Sequence, residues 1–332
     1  MSRALRSYGH LIKSVTLFCD DGFLEKFLEF APSTLPQLTS IWLTGLVRNG
    51  KLIAGLMDRC TGGLRVLRLQ LDHDGDDAGS SDLDQSLEDG WGDAKEYFGF
   101  GQSSVAALFD HASTIEAFHV ENPGLSSANI HRFLCSASKL EEFDIRSETR
   151  PGALGDNSEA CLKAADIDGA NWACTSLKFF GCPIGGFTRS DFSENIHYGL
   201  PPWDHLENLD LHRRVYTQLG RLTYLRELLL GIRYETNHRD YSDTGRDADR
   251  IQFDCLAMSL QSGLGLLCDL KELCEVGMKY MYVVFDQEER LWAAKHWPNA
   301  YIDFGEGLEP LLTADISILL PCAVSTIHHG LC

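Results

Sequence analysis

An α/β fold, a solenoid or horseshoe with a parallel sheet on its concave face and helices on its convex face, is predicted from three observations. Nine short apolar triplets follow one another along the 332-residue chain, each of the form L-x-x-L-x-L with apolar substitutes allowed. Stretches of helical period separate them. The triplets begin 26, 26, 51, 25, 37, 29, 19 and 45 residues apart, so five of the eight intervals are alike and three hold insertions.

In chain order the triplets are Ile12/Val15/Leu17, Leu38/Ile41/Leu43, Leu64/Leu67/Leu69, Ile115/Phe118/Val120, Leu140/Phe143/Ile145, Leu177/Phe180/Cys182, Leu206/Leu209/Leu211, Leu225/Leu228/Leu230 and Leu270/Leu273. Each is read as a strand with its leucines turned into the core. The intervening pairs Phe23-Leu24 and Phe27-Leu28, Leu52 and Leu56-Met57, Val105 and Leu108-Phe109, and Ile130 and Phe133-Leu134 recur at helical spacing. One strand and one helix cannot bury both apolar surfaces alone, whereas stacked units can. The interval agrees with leucine-rich repeats, which run at roughly 20–29 residues per unit. A doubly wound α/β sheet is the alternative, but it gives no reason for a triplet at a fixed offset.

One leucine-rich-repeat domain is therefore expected over residues 1–305, interrupted by an acidic insertion at 72–102 and a polar one at 233–250. Residues 72–96 hold ten acids against one lysine, so a solvated loop is expected there. Ser147–Ser158 forms a shorter insertion with glycine and proline. Residues 306–332 lack the pattern and are expected to be a weakly ordered tail.

The net charge of -19 argues against nucleic acid and anionic membrane as partners, since both select clustered Lys and Arg. The eleven cysteines include no C-x-x-C pair, and the chain start lacks an apolar signal core, so reduced thiols and a cytoplasmic or nuclear location are expected. No cofactor, metal or catalytic group is expected. Asp72-x-Asp74-x-Asp76 imitates the opening of a calcium loop, but Asp77 stands where glycine is needed and Leu83 where glutamate is needed. Gly99-Phe-Gly101 lacks the third glycine of a dinucleotide fingerprint. Cys174, Cys182 and His197 have the side-chain types of a nucleophile and base, but Cys174 falls at a buried repeat position.

Strand alternation turns Ser14, Thr16, Trp42, Thr44, Arg68, Gln70, His119, Glu121, Glu142, Asp144, Arg146, Asp210, His212 and Glu227 to the concave face. A protein target is expected there, met by Trp42, Arg68, His119, Asp144, Arg146, Asp210 and His212. Trp42 stands out, because tryptophan and arginine are enriched at binding hot spots; packing beneath the first loop is its alternative. The later half of the face is richer in carboxylates and suits a basic segment of a target. Pairing of Arg146 with Asp144 or Asp210 would weaken that inference.

Four stretches carry a family resemblance: SYGHLIKSVTL from Ser7, Trp172/Cys174/Leu177, the run from Tyr216 to Leu228, and RLWAAKHWPNAYI at Arg290–Ile302. From Ser7 to about Gly305 the chain resembles the repeat region of fungal F-box proteins, whose F-box docks onto the linker subunit of a cullin ubiquitin ligase. The resemblance implies substrate recognition for ubiquitination, with the linker subunit as a partner only if an F-box lies upstream. Residues 1–10 lead straight into the first triplet and no Leu-Pro-x-Glu occurs, so the F-box itself is not seen. Either the reading frame begins late or this member has lost its ligase-docking half, which leaves a ligase-independent binding protein as the alternative.

Overall fold

The structure is a computed structural model that describes residues 7–45, 47–70, 100, 102–121, 123–146, 160–167, 169–187, 208–231, 255–279, 281, 283 and 285–304. The acidic insertion, apart from Phe100 and Gln102, lies outside the described residues. So do residues 147–158, the polar insertion 233–250, Leu206 and the tail 306–332.

The fold is α/β, dominated by one parallel sheet of nine strands. In chain order the strands are β1 (Ser14–Phe18), β2 (Ser40–Thr44), β3 (Val66–Gln70), β4 (Ala117–Val120), β5 (Glu142–Asp144), β6 (Leu162–Lys163), β7 (Phe179–Gly181), β8 (Ile184–Gly185), β9 (Glu227–Leu229), β10 (Glu275–Gly277) and β11 (Tyr301–Asp303). The large sheet runs β1-β2-β3-β4-β5-β7-β9-β10-β11, so every strand lies beside the next one in the chain apart from the small pair β6-β8.

One bonding pattern repeats at the start of each strand. Lys13, Thr39, Arg65, Glu116, Glu141, Lys178 and Arg226 occupy equivalent positions, and the carbonyl of each accepts two successive amides from the following strand at 2.7–3.2 Å. The register is thereby fixed, and the residue just before each of these seven is the first of an apolar triplet.

Helices α1 (Asp21–Phe30), α2 (Gly50–Met57), α3 (Gln102–His111) and α4 (Ser127–Ser136) match the four predicted helical segments. Side chains end three of them: Asp20 accepts from Phe23 N, Asn49 from Lys51 N, and Ser126 from Asn129 N, each satisfying an amide with no partner inside its helix. Neighbouring helices touch in sequence order and cover the face that bears the triplets. His111 joins two units, with Nδ1 accepting from Leu64 N and Nε2 donating to the Met57 carbonyl. Among the described residues between β5 and β7 lie β6 and a 3-10 turn, Ala164–Asp166. Two further helices follow, α5 (Leu209–Leu219) and α6 (Gln287–His296).

The core lies between sheet and helices as one contiguous cluster. Its fourth-position row runs Val15, Ile41, Leu67, Phe118, Phe143, Phe180, Leu228 and Val276 across the strands. Phe143 stacks between Phe118 and Phe180, with ring centres 5.7 and 5.9 Å away, and Trp172 stacks on Phe180 at 5.6 Å.

Two of the nine triplets are not what the pattern suggests. Leu209 and Leu211 begin α5, whose buried residues His212, Val215, Tyr216 and Leu219 follow a helical period instead. Leu270 and Leu273 precede their strand: β10 carries Val276 and Met278 into the core, which makes Leu273 the first member of its triplet. The ninth strand is β11, which begins at the end of the Arg290–Ile302 stretch. Among the described residues no helix is long and apolar enough to cross a membrane.

Candidate functional site

The sheet face turned away from the core presents the residues that alternate with the core positions, and on it Asp144, Gly181, Leu229 and Gly277 are buried. Thr16, Trp42, Arg68, His119, Asp144, Gly181, Leu229, Gly277 and Asp303 form one register row across the nine strands. Five of the residues expected to bind a target, Trp42, Arg68, His119, Asp144 and Arg146, converge on four adjacent strands. With Gln70 they line a cleft of about 170 Å³ at the C-terminal ends of β2–β5.

Asp210 and His212 do not join them. Both lie on α5, where His212 is buried, stacks on Phe187 with ring centres 4.0 Å apart, and accepts from Ala257 N through Nδ1. Their placement on the sheet face came from the misread triplet. Glu121 also departs from expectation, because its side chain is buried.

The cleft is held by a chain of aromatic and charged groups. Trp42, 39% exposed, has the Arg68 guanidinium 5.8 Å from its ring centre. Arg68 Nη2 and His119 Nε2 both reach Glu142 Oε2, at 3.2 and 2.8 Å. The hydrogen bond from His119 is the main reason the Glu142 carboxyl lies below its ordinary range, helped by the charges of His119 and Arg68 against the opposing effect of burial. The His119 ring lies 5.9 Å from Phe179, and the Arg146 guanidinium lies over the same ring at 5.6 Å.

Arg146 grips Asp144 with two hydrogen bonds, Nε to Oδ1 at 2.9 Å and Nη2 to Oδ2 at 2.8 Å, and its backbone amide adds a third at 3.1 Å. The pair is nearly buried, 11% and 9% exposed. Gly181 makes this possible: a Cβ there would collide with Asp144 Oδ1 and stand 2.7 Å from Arg146 Nε. Asp144 and Arg146 therefore neutralise each other and form the floor of the cleft, while Trp42, Arg68 and His119 form its wall and Glu142 holds the latter two from beside it. Among the described residues Arg68 Nε is buried with no hydrogen-bond partner. A desolvated donor in that state costs about 1–3 kcal/mol.

The second half of the face differs in charge. Along the neighbouring register row lie Glu142, Phe179, Glu227, Glu275 and Tyr301. Glu227 and Glu275 stand directly opposite each other, and neither side chain makes a hydrogen bond or ion pair among the described residues. Burial, and then the charge of Glu275, raise the Glu227 carboxyl above its ordinary range. Glu275 was not among the residues expected on this face, because the strand carrying it had been set too early.

Among the described residues no three His, Cys, Asp or Glu side chains are grouped to hold a metal. Burial pushes the Cys174 thiol up to about 12, which keeps it protonated and unreactive at neutral pH; His197 lies outside the described residues. No known protein family matches this chain, and no curated protein matches it either.

Proposed function

We propose that this protein is a leucine-rich-repeat solenoid that binds a protein target across the open face of its sheet, like the substrate-recognition repeats of an F-box ubiquitin-ligase adaptor. The strictly sequential strand order supports the solenoid reading, as does the doubly accepting carbonyl repeated at seven consecutive steps. A doubly wound sheet reverses its strand order at a switch point, and this sheet has no such reversal. The observation that carries the binding role is the cleft of Trp42, Arg68 and His119, with Glu142 paired to Arg68 and His119 beside it. There an exposed indole, an unsatisfied guanidinium donor and an ion-pair network share one rigid surface.

The target that fits has two features. An apolar group with a nearby carbonyl or carboxylate oxygen suits Trp42 and the partly exposed Arg68 guanidinium. A lysine or arginine farther along suits Glu227 and Glu275, whose mutual repulsion a cation relieves. Catalysis, a cofactor and a metal have no part in this reading. Binding that ends in ubiquitination and binding independent of a ligase differ in whether the chain engages the linker subunit. The 332 residues contain no Leu-Pro-x-Glu, so the purified chain is expected not to co-elute with that subunit.

Affinity capture from cell extract tests the site, comparing wild type with Trp42→Ala and with Glu227→Gln/Glu275→Gln. Recovery of the same target is expected to fall at least about tenfold in each variant, the size of a hot-spot loss. Undiminished recovery by both variants would remove the target from this face.

A further inference from the structure

The first strand leaves one half of its backbone unpaired. Lys13 and Cys19 bond to β2, through Lys13 O with Ser40 N and Cys19 N with Thr44 O, so the odd-numbered residues between them also turn their amides and carbonyls to β2. The amides and carbonyls of Ser14, Thr16 and Phe18 face outward, and none has a partner among the described residues. Edge strands are normally blunted by charge, proline or a bulge. The sequence Ser14-Val15-Thr16-Leu17-Phe18 has none of these. The core is also open at this end: Ile12 and Leu17 are only partly buried, whereas their equivalents Leu38, Leu43, Leu64 and Leu69 are fully buried. Phe18 is 69% exposed and Leu11 53%.

We propose that β1 pairs antiparallel with β1 of a second copy of this chain, about a two-fold axis at Thr16. The register is self-complementary. It places Ser14 opposite Phe18 of the other copy and Thr16 opposite Thr16, so all six outward amides and carbonyls of each strand find partners. On the core side Val15 meets Leu17 of the other copy, which joins the two open cores. On the other side the Phe18 ring lies over the small Ser14. Lys13, which has no ion pair among the described residues, reaches the Asp20 carboxylate of the other copy, and the reverse contact follows by symmetry. Pairing shifted by one residue would set Val15 against Phe18 and turn core residues outward. The opposite edge is a poorer candidate, since β11 has three residues and carries Asp303.

One short strand pair with its flanking side chains buries less than a standard interface, so affinity in the micromolar range is expected. Sedimentation velocity of the full chain from about 1 to about 100 µM is expected to show the mass doubling across that range. Thr16→Pro removes the amide on the axis, and Phe18→Lys places a charge on the edge; each is expected to weaken dimerisation at least about tenfold. Because Phe18 is exposed, its substitution leaves the monomer folded and reads the interface even if the proline variant does not fold. A wild type that stays monomeric at the highest concentration overturns the proposal, and so does a dimer that survives Phe18→Lys. A monomer with slowly exchanging amides at Ser14, Thr16 and Phe18 also overturns it, since another segment of the same chain then covers the edge.

Discussion

Glu142 and Glu227 stand two strands apart on one register row, yet their surroundings move them in opposite directions. The Glu142 carboxyl is lowered by the hydrogen bond from His119, so its ionised form stabilises the fold above the ordinary value of 4.5, and that contribution is lost as pH falls through the lowered one. Glu227 is raised by burial and by Glu275, so its favourable contribution is complete below 4.5 and is lost as pH rises through the raised value. Glu142→Gln is therefore expected to lower stability at pH 7 and Glu227→Gln to raise it, with both differences vanishing in acid. Both carboxylates are partly exposed, so screening holds each effect to about 0.5 kcal/mol or less. Urea titrations at pH 7 and pH 3.5 check the signs, and like signs at pH 7 would refute the account. The sequence places Trp42, Arg68, His119, Asp144 and Arg146 on one surface because strand alternation is strict. It does not disclose that Asp144 and Arg146 spend their charge on each other, because that depends on Gly181, two strands' worth of chain away.

Alternation and helical period compete wherever leucines are dense. Leu206, Leu209 and Leu211 satisfy the triplet, but the stretch that follows places His212, Val215, Tyr216 and Leu219 on one helical face. The longer pattern wins, because the helix buries five side chains, Gln218 included, where the strand would bury two. The β10 error has a different origin. Leu270 and Leu273 are both fully buried in the turn before the strand, so burial alone does not say where the strand begins. A buried hydroxyl marks α5: Tyr216 Oη donates to the Ala257 carbonyl at 2.6 Å, and Ser262 Oγ donates to the same oxygen at 2.6 Å. Tyr216→Phe leaves that carbonyl satisfied by Ser262, so its expected cost is about 1 kcal/mol. Tyr216→Phe/Ser262→Ala strands the carbonyl and is expected to cost more than the two single changes together, measured by chemical denaturation. Strict additivity would show that the two donors act separately.

Across the whole molecule the apolar row is deepest in the middle and thin at the first strand. Phe143 has aromatic neighbours on both sides, and removing its ring by Phe143→Ala is expected to cost about 3–5 kcal/mol. Leu17→Ala, at the partly exposed end of the same sheet, is expected to cost under about 2 kcal/mol in the monomer. Equal losses in urea unfolding would mean that the first strand is as well supported as the fifth. Strand pairing that runs from each unit to the next, with the Arg68–Glu142 pair reaching across β4, makes the stack a chain of separable links. The seven doubly accepting carbonyls are those links, one per step, and they lie across the line joining the two ends of the sheet. Tension applied between β1 and β11 therefore opens one link at a time. Each opening pays out the slack of one unit: roughly 90 Å for the 26 residues between the second and third triplets, and about 180 Å for the 51 between the third and fourth. A single-molecule stretching trace should show this uneven staircase, with step lengths that read out the spacing of the strands along the chain.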